Sequence, residues 1–401
     1  MAPSEWSTVV PYASRVKVLT YQRGSYSYAA TDVWRSLTIS RPDSTPFLFP
    51  NLRDLSWSED VSFIRMVLPP TLIRLELWAS SDATESILRS LYHLCPSLQE
   101  VILFGEPDIL SQSSIMHPIS QWVNLRRLTL GWAPSPAAFA HMKRLEYLCI
   151  TFDFYEDPQD ISTPVVFPAL REFKFKGTAL YWVTSLLSFI HSPHLETVHL
   201  TISAYKQASS WTKLLIALGR SNTLISVTIR DINHVYRGYL NQEAIIPLFS
   251  LSNLIHLELQ PNQGFDIGDE ILCHLSLTFP HLRSLVLGSL TSTWTRPSRI
   301  TLVGLIPLIA NCPQLHHLSI VINATIIPDA CISTPTPNTN LKTLQVGHSR
   351  ISDPTYVAAF LVDLLPNVTG IVHKWGCSVK EAEAWNNVGV FMKKFKGSGR
   401  R

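Results

Sequence analysis

Leu125-Arg-Arg-Leu-Thr-Leu130, Leu145-Glu-Tyr-Leu-Cys-Ile150 and Leu170-Arg-Glu-Phe-Lys-Phe175 follow one another near the middle of the chain. In each, the first, fourth and sixth residues are apolar. Strand alternation sends positions four and six to one side and positions three, five and seven to the other. The same six-residue pattern begins upstream at Trp34, Leu52, Leu72 and Leu98, and downstream at Leu195, Leu224, Leu254, Leu282, Leu315, Leu341 and Val368.

Thirteen intervals separate Trp34 from Val368, about 26 residues each, within the 20 to 29 residue period of leucine-rich repeats. A Pro precedes many of the units, in Phe49-Pro50, Cys95-Pro96, Phe167-Pro168, Phe279-Pro280, Cys312-Pro313 and Leu365-Pro366. The missing N–H of proline suits it to a strand entry. Cys95 and Cys312 hold equivalent places, which marks them as small buried hydrophobes.

Helical segments alternate with these strands. Asp82-x-x-Glu85 reads as a capping box, and Asp353-Pro354 as a cap followed by a first-turn proline. Further helices are expected over 180–190, 211–218, 243–249, 269–279 and 301–310. Neither element can bury its apolar face alone, so the units should stack. The fold class expected is α/β, a leucine-rich-repeat solenoid of 13 to 14 irregular units, its curved parallel sheet concave and its helices convex. Residues 1–33 are read as an N-terminal cap segment, 34–375 as the solenoid, and 376–401 as a C-terminal cap ending in a frayed basic tail, Lys393 to Arg401.

Composition agrees with a folded interior: 46% of the 401 residues are hydrophobic and 16% charged, and mean hydropathy is +0.14. Thirty-three basic residues against thirty acidic ones leave a net charge of +3, too small to point to nucleic acid or an anionic membrane. No apolar run reaches the eighteen residues of a membrane span, and the N-terminus does not read as a signal peptide. A cytoplasmic or nuclear location is expected. The six scattered cysteines form no CxxC pair and are read as free thiols. Irregular stretches at 153–166, 231–241, 261–268, 291–299 and 323–340 read as loops.

No nucleophile elbow, P-loop, dinucleotide fingerprint or zincin motif occurs. The acidic group Asp153, Glu156, Asp157 and Asp160 lacks the spacing of a calcium loop. The chain is therefore read as a non-enzyme with no cofactor and no metal site. Its candidate surface is the concave face, where position three includes Asp54, Arg74 and Glu100, and position five Glu76. The candidate partner-binding residues are Trp78, Phe104, Arg127, Tyr147, Glu172, Lys174, Lys176, His199, Arg230, His256 and Glu258. Aromatic and arginine side chains of this kind supply binding hot spots, and Trp78 and Phe104 are large apolar groups on a nominally exposed face.

The repeats, their Phe/Cys-Pro entries, the segment Tyr12-Ala13-Ser14-Arg15-Val16-Lys17-Val18-Leu19 and the ending with Trp385, Val388 and Val390 resemble fungal, basidiomycete-type F-box proteins with leucine-rich repeats. The resemblance implies a substrate receptor of a Skp–cullin–F-box ubiquitin ligase, working in ubiquitin-dependent protein degradation. In such receptors the repeats hold a target protein and the F-box binds the Skp adaptor. The chain departs from the family in one respect: only eleven residues precede Tyr12, and no F-box helix is written among them. Adaptor binding is thus expected only with an F-box upstream of Met1. The alternative is a ligase-independent scaffold or decoy. Neither nucleic acid nor membrane is an expected partner, and a monomer is expected.

Overall fold

The computed structural model describes residues 3–21, 27–58, 61–79, 82–105, 118–119, 121–132, 134, 139, 141–152, 165–178, 180–203, 208–232, 239–262, 264–288, 297–327, 336–373 and 379–397. The chain forms two compact units, Met1–Lys174 with Phe189–His194, and Phe175–Ser188 with Leu195–Arg401.

In the first unit, strands β1 (Val18–Tyr21), β2 (Asp54–Trp57), β3 (Arg74–Ala79), β4 (Glu100–Gly105), β5 (Arg127–Leu130) and β6 (Tyr147–Phe152) pair in parallel, each with the next in sequence. Strand β7 (Glu172–Gly177) carries the chain from the first unit into the second. There β8 (Thr197–Ile202), β9 (Ser226–Asp231), β10 (His256–Gln260), β11 (Ser284–Leu287), β12 (His317–Ile320), β13 (Thr343–Gly347) and β14 (Gly370–His373) form the same sequential parallel ladder. This is the α/β leucine-rich-repeat fold. Every strand starts at position three of its repeat.

Burial follows the repeat. In β4, β6, β8 and β9 half-buried residues alternate with buried ones, and Leu55, Leu75, Leu128, Leu148, Leu257 and Leu344 at position four are fully enclosed or nearly so. Each such side chain contributes about 1.5–3 kcal/mol by leaving water. The alternation breaks in β11 and β12, where position-five Val286 and Ser319 are also buried.

The prolines serve a different element from the strand entry expected of them. Leu52 N–H donates to Phe49 O, Leu98 to Cys95, Leu170 to Phe167, Leu282 to Phe279, Leu315 to Cys312 and Val368 to Leu365. These i→i+3 bonds close β-turns with proline at i+1, where its fixed φ is already the one required. The turns are also joined to one another. The residue before the first Leu reaches back to the preceding turn: Asn51 Nδ2 to Ser14 O, Asn124 to Pro96, Asn253 to Asn222, Asn340 to Pro313 and Asn367 to Thr339, at 2.7–3.3 Å.

The repeat begins one unit earlier than the spacing suggests. Trp34 to Ile39 lies inside helix Ser27–Ser40, and the first strand is β1, from Val16-Lys-Val-Leu-Thr-Tyr21. On a helix, Trp34 and Ile39 are five residues apart and point to different sides. Trp34 is accordingly buried and Ile39 is 79% exposed. Trp34 packs against Tyr21 and Trp57, with ring centroids 5.3 and 5.0 Å away. No turn of the Phe/Cys-Pro kind precedes Trp34 to set a strand.

The expected helices are present as Leu180–Phe189, Ala208–Gly219, Gln242–Ile245 running into the 3-10 turn Ile246–Ser250, Asp269–Thr278 and Leu302–Asn311. Asp353 caps helix Pro354–Leu364, its carboxylate accepting from Thr355 and Tyr356 N–H at 2.9 and 3.1 Å. Helix Asp82–Leu94 starts where the capping box stands, though the side chains of 82–85 lie outside the description. Four of the expected loops contribute strands to short parallel pairs: Val165–Val166 with Ile190–His191, Leu240–Asn241 with Phe265–Asp266, and Asn323–Ala324 with Arg350–Ile351. The basic tail is not frayed as far as Gly397: it closes helix Val379–Gly397, where Lys396 Nζ donates to Val368 O and Trp385 Nε1 to Ser349 O. The expected acidic group at 153–160, with Cys331 and Cys377, lies outside the described residues. Cys95, Cys149, Cys273 and Cys312 are free thiols.

Candidate functional site

In the first unit, positions three, five and seven of β2 to β6 form an ionic and aromatic surface. Arg74 stands at its centre. Its Nη1 meets Asp54 Oδ1 at 2.8 Å, Nη2 meets Glu76 Oε2 at 2.8 Å, and Nε lies 3.6 Å from Glu100 Oε1. Burial works against this guanidinium, but the hydrogen bonds it donates to Asp54 and Glu76 outweigh it and hold its pKa above the ordinary value. The other oxygen of Glu100 faces Arg127 Nε at 3.8 Å.

Arg127 in turn lies over the Tyr147 ring, 4.0 Å from its centroid, and Lys174 Nζ stands 5.3 Å from the same ring. Lys174 also pairs with Glu172 at 2.8 Å. Burial raises the Tyr147 phenol and the Cys149 thiol above their ordinary pKa values, so both stay neutral near pH 7. At position seven, Trp78 is 49% exposed and packs against Phe104 with centroids 5.7 Å apart and the rings tilted by 36°. Phe104 runs across Gly131, where an added Cβ would stand 3.2 Å from Phe104 Cα and 3.3 Å from its Cδ1.

The second unit carries its own group. Arg230 grips Glu258 with Nε to Oε1 at 2.5 Å and Nη2 to Oε2 at 3.2 Å, and Gln260 Nε2 donates to the same carboxylate at 2.6 Å. The Glu258 bond raises the Arg230 pKa. His256 and His317 occupy equivalent positions on either side of Ser284. Burial lowers both imidazole pKa values; His316 adds to the effect on each, while Glu258 partly opposes it at His317. His199 aligns with Thr228, and Thr228 with Glu258. Lys176 is exposed at the end of β7.

The sequence-selected residues are therefore half-buried or exposed on their strands, but they are not a field of free positive charge. Lys174 and Arg230 are both neutralised by carboxylates within hydrogen-bond reach. The hub residue Arg74 and its partners Asp54, Glu76 and Glu100 were not singled out from the sequence. The alternating signs of Asp54, Arg74, Glu100 and Arg127 at position three are the signal that identifies them, because opposite charges on neighbouring strands pair. Among the described residues no group of three or more His, Cys, Asp or Glu could hold a metal ion, and no helix is long and apolar enough to cross a membrane.

No protein-family model matches the chain, and no curated protein sequence matches it. Its fold is similar to solved structures at low identity. The crystal structure of a TLR13–ssRNA13 complex aligns with 15% identity and a TM-score of 0.47 over 91% of this chain and 52% of that one. The Rad7–Elc1 complex of yeast aligns with 16% identity and a TM-score of 0.40 over 89% of this chain and 85% of that one. The Toll–Spatzle complex of Drosophila gives 15% identity and a TM-score of 0.43, over 82% and 49%. The chain spans about half the length of the TLR13 and Toll chains. The leucine-rich-repeat fold itself rests on the strand ladders and the repeat register.

Proposed function

We propose that this chain is a protein-interaction module that captures a target protein on its sheet face, as the substrate-recognition part of a Skp–cullin–F-box ubiquitin ligase. The observation that carries the binding role is the row of aromatic and charged side chains at positions three, five and seven, in which Trp78 packs on Phe104 and Arg127 lies over Tyr147 in the first unit. Such rigid aromatic and arginine groups are what binding hot spots are made of. The ligase role is supported by the Tyr12 to Leu19 segment and the Phe/Cys-Pro turns, which resemble F-box repeat proteins. In this reading the chain does no chemistry itself, residues 376–401 cap the last repeat, and targets reach the ligase only when an F-box and the Skp adaptor are joined to it.

Proximity labelling with the tagged full chain, followed by co-purification, tests both halves. Charge reversal at Lys174 and Lys176 is expected to weaken target capture more than reversal at Lys213, an exposed residue of helix Ala208–Gly219. Equal effects would remove the sheet face from consideration. Co-purification of the Skp adaptor supports the ligase role, whereas capture of targets without it makes the chain a ligase-independent scaffold.

A further inference from the structure

Resting on the protein-binding reading, we infer that the Trp78 end of the first unit is a docking surface for an extended partner segment bearing arginine or lysine, whose cation sits on the Trp78 ring and pairs with Glu76, with Asp54 adding to the negative field further along the face. Three features combine. The first is the aromatic shelf. Trp78 is half exposed, is held by Phe104, and Phe104 itself lies over a glycine at the next position seven. Two rings fixed in this way lose little conformational freedom when a partner covers them, which is what makes aromatic anchors effective.

The second is the charge balance beneath the shelf. Glu76 is two residues from Trp78 and shares its face of β3. Around Arg74 stand three carboxylates, yet the guanidinium takes one oxygen from each: Asp54 Oδ1, Glu76 Oε2 and Glu100 Oε1. A carboxylate offers about four acceptor sites, so Asp54 and Glu76 keep capacity for a further donor. Both are about one-third exposed. Counting Arg127 as well, two cations face three anions here, and the surplus is negative.

The third is ring chemistry. The face of an indole attracts a cation more strongly than phenol or benzene does, and this one follows Glu76 by two residues on the same side of β3. Arg127 already makes the equivalent contact on Tyr147 at 4.0 Å, which shows that a guanidinium is accommodated over a ring on this sheet face. An acidic or phosphorylated segment would meet Glu76, Asp54 and Glu100 with like charge, and so is disfavoured.

An immobilised array of random twelve-residue peptides, probed with the purified full chain, tests this. The retained peptides should be enriched in Arg or Lys beside an apolar residue, and replacing arginine by citrulline should abolish retention. Trp78→Ala and Glu76→Gln should each lower the signal about tenfold. Trp78→Leu, which keeps apolar bulk but removes the π face, should lower it as much as Trp78→Ala. Matching melting curves show that the variants are folded. Enrichment of acidic or phosphorylated peptides, no retention, or signals unchanged in Trp78→Leu and Glu76→Gln would overturn the inference. If lysine reversal still weakens target capture in that case, the protein-binding reading stands without it.

Discussion

The carboxylate of Asp269 holds both donors of Thr301: the backbone N–H at 2.7 Å and Oγ1 at 2.6 Å. Thr301 is also the N-cap of the next helix, its hydroxyl accepting from Val303 N–H at 3.1 Å. One carboxylate thus ties the start of helix Asp269–Thr278 to the start of Leu302–Asn311. At the far ends the tie is repeated, with Asn311 Nδ2 donating to Ser276 Oγ at 3.0 Å.

Asp269→Ala is expected to cost about 1–3 kcal/mol, because it leaves two half-buried donors unpaired. Gly304→Ala should cost a comparable amount, since its Cβ would stand 2.3 Å from Asp269 Oδ1. Chemical denaturation checks both. If the two costs add fully in the double variant, the clash and the hydrogen bonds are independent; a shortfall places them on the same carboxylate, as the geometry requires.

The position of the first repeat can be read from two substitutions. Trp34→Ala should lose about 3–5 kcal/mol by opening a cavity against Tyr21 and Trp57, and Ile39→Ala should change stability by less than about 0.5 kcal/mol. Were Trp34 to Ile39 a repeat unit, Trp34 at position one and Ile39 at position six would both be buried, as Leu72 and Leu77 are, and both substitutions would be costly.

Thiol reactivity separates the cysteines. Burial pushes Cys95 and Cys312 from 9.0 up to about 12, so almost no thiolate exists at pH 8. Iodoacetamide followed by peptide mass spectrometry should leave these two unmodified in the native protein and label them on unfolding, while half-buried Cys149 and Cys273 react first. Because the folded state holds these two protons more tightly, their contribution to stability is complete below pH 9 and falls as pH rises toward 12. A melting temperature unchanged over that range would contradict it.

The histidines act at the opposite end of the scale. His256 and His317 have pKa values below the ordinary 6.5, mainly through burial; the charges of His316 and Arg283 add to this at His256, while at His317 Glu258 opposes it and His316 adds to it. A base that binds its proton less readily when folded stabilises above its unfolded pKa and loses that contribution as pH falls. Stability should therefore drop below about pH 6.5, and His317→Gln should flatten the drop. NMR titration of the two imidazoles gives the direct check.

Much of the fold is legible because its signals are local. Leu128, Leu148 and Leu257 recur at fixed places within their repeats, and a residue that must be buried on a strand announces itself by period two. Asp353 before Pro354 is likewise a cap at any address in the chain. Trp34 misleads because Trp-x-x-Leu-x-Ile is also compatible with a helix. Only the packing of Trp34 on Tyr21 and Trp57 decides between them. The candidate surface was legible as a set of outward positions, not as a set of charges, because Lys174 and Arg230 are basic in sequence and neutralised in space.

What the sequence by itself determined is the repeat: its period, the position at which the strands from Asp54 onward start, the inward leucines and the outward rows. Those follow from backbone geometry and apolar burial within six residues. What only the tertiary structure decided is which outward residues meet. Arg74 meets Asp54 and Glu100 across gaps of 20 and 26 residues; the alternating signs at position three mark these residues as partners, but that one guanidinium engages all three carboxylates, Glu76 included, depends on how the neighbouring strands align. The ladder register sets it, through backbone bonds that align one repeat with the next.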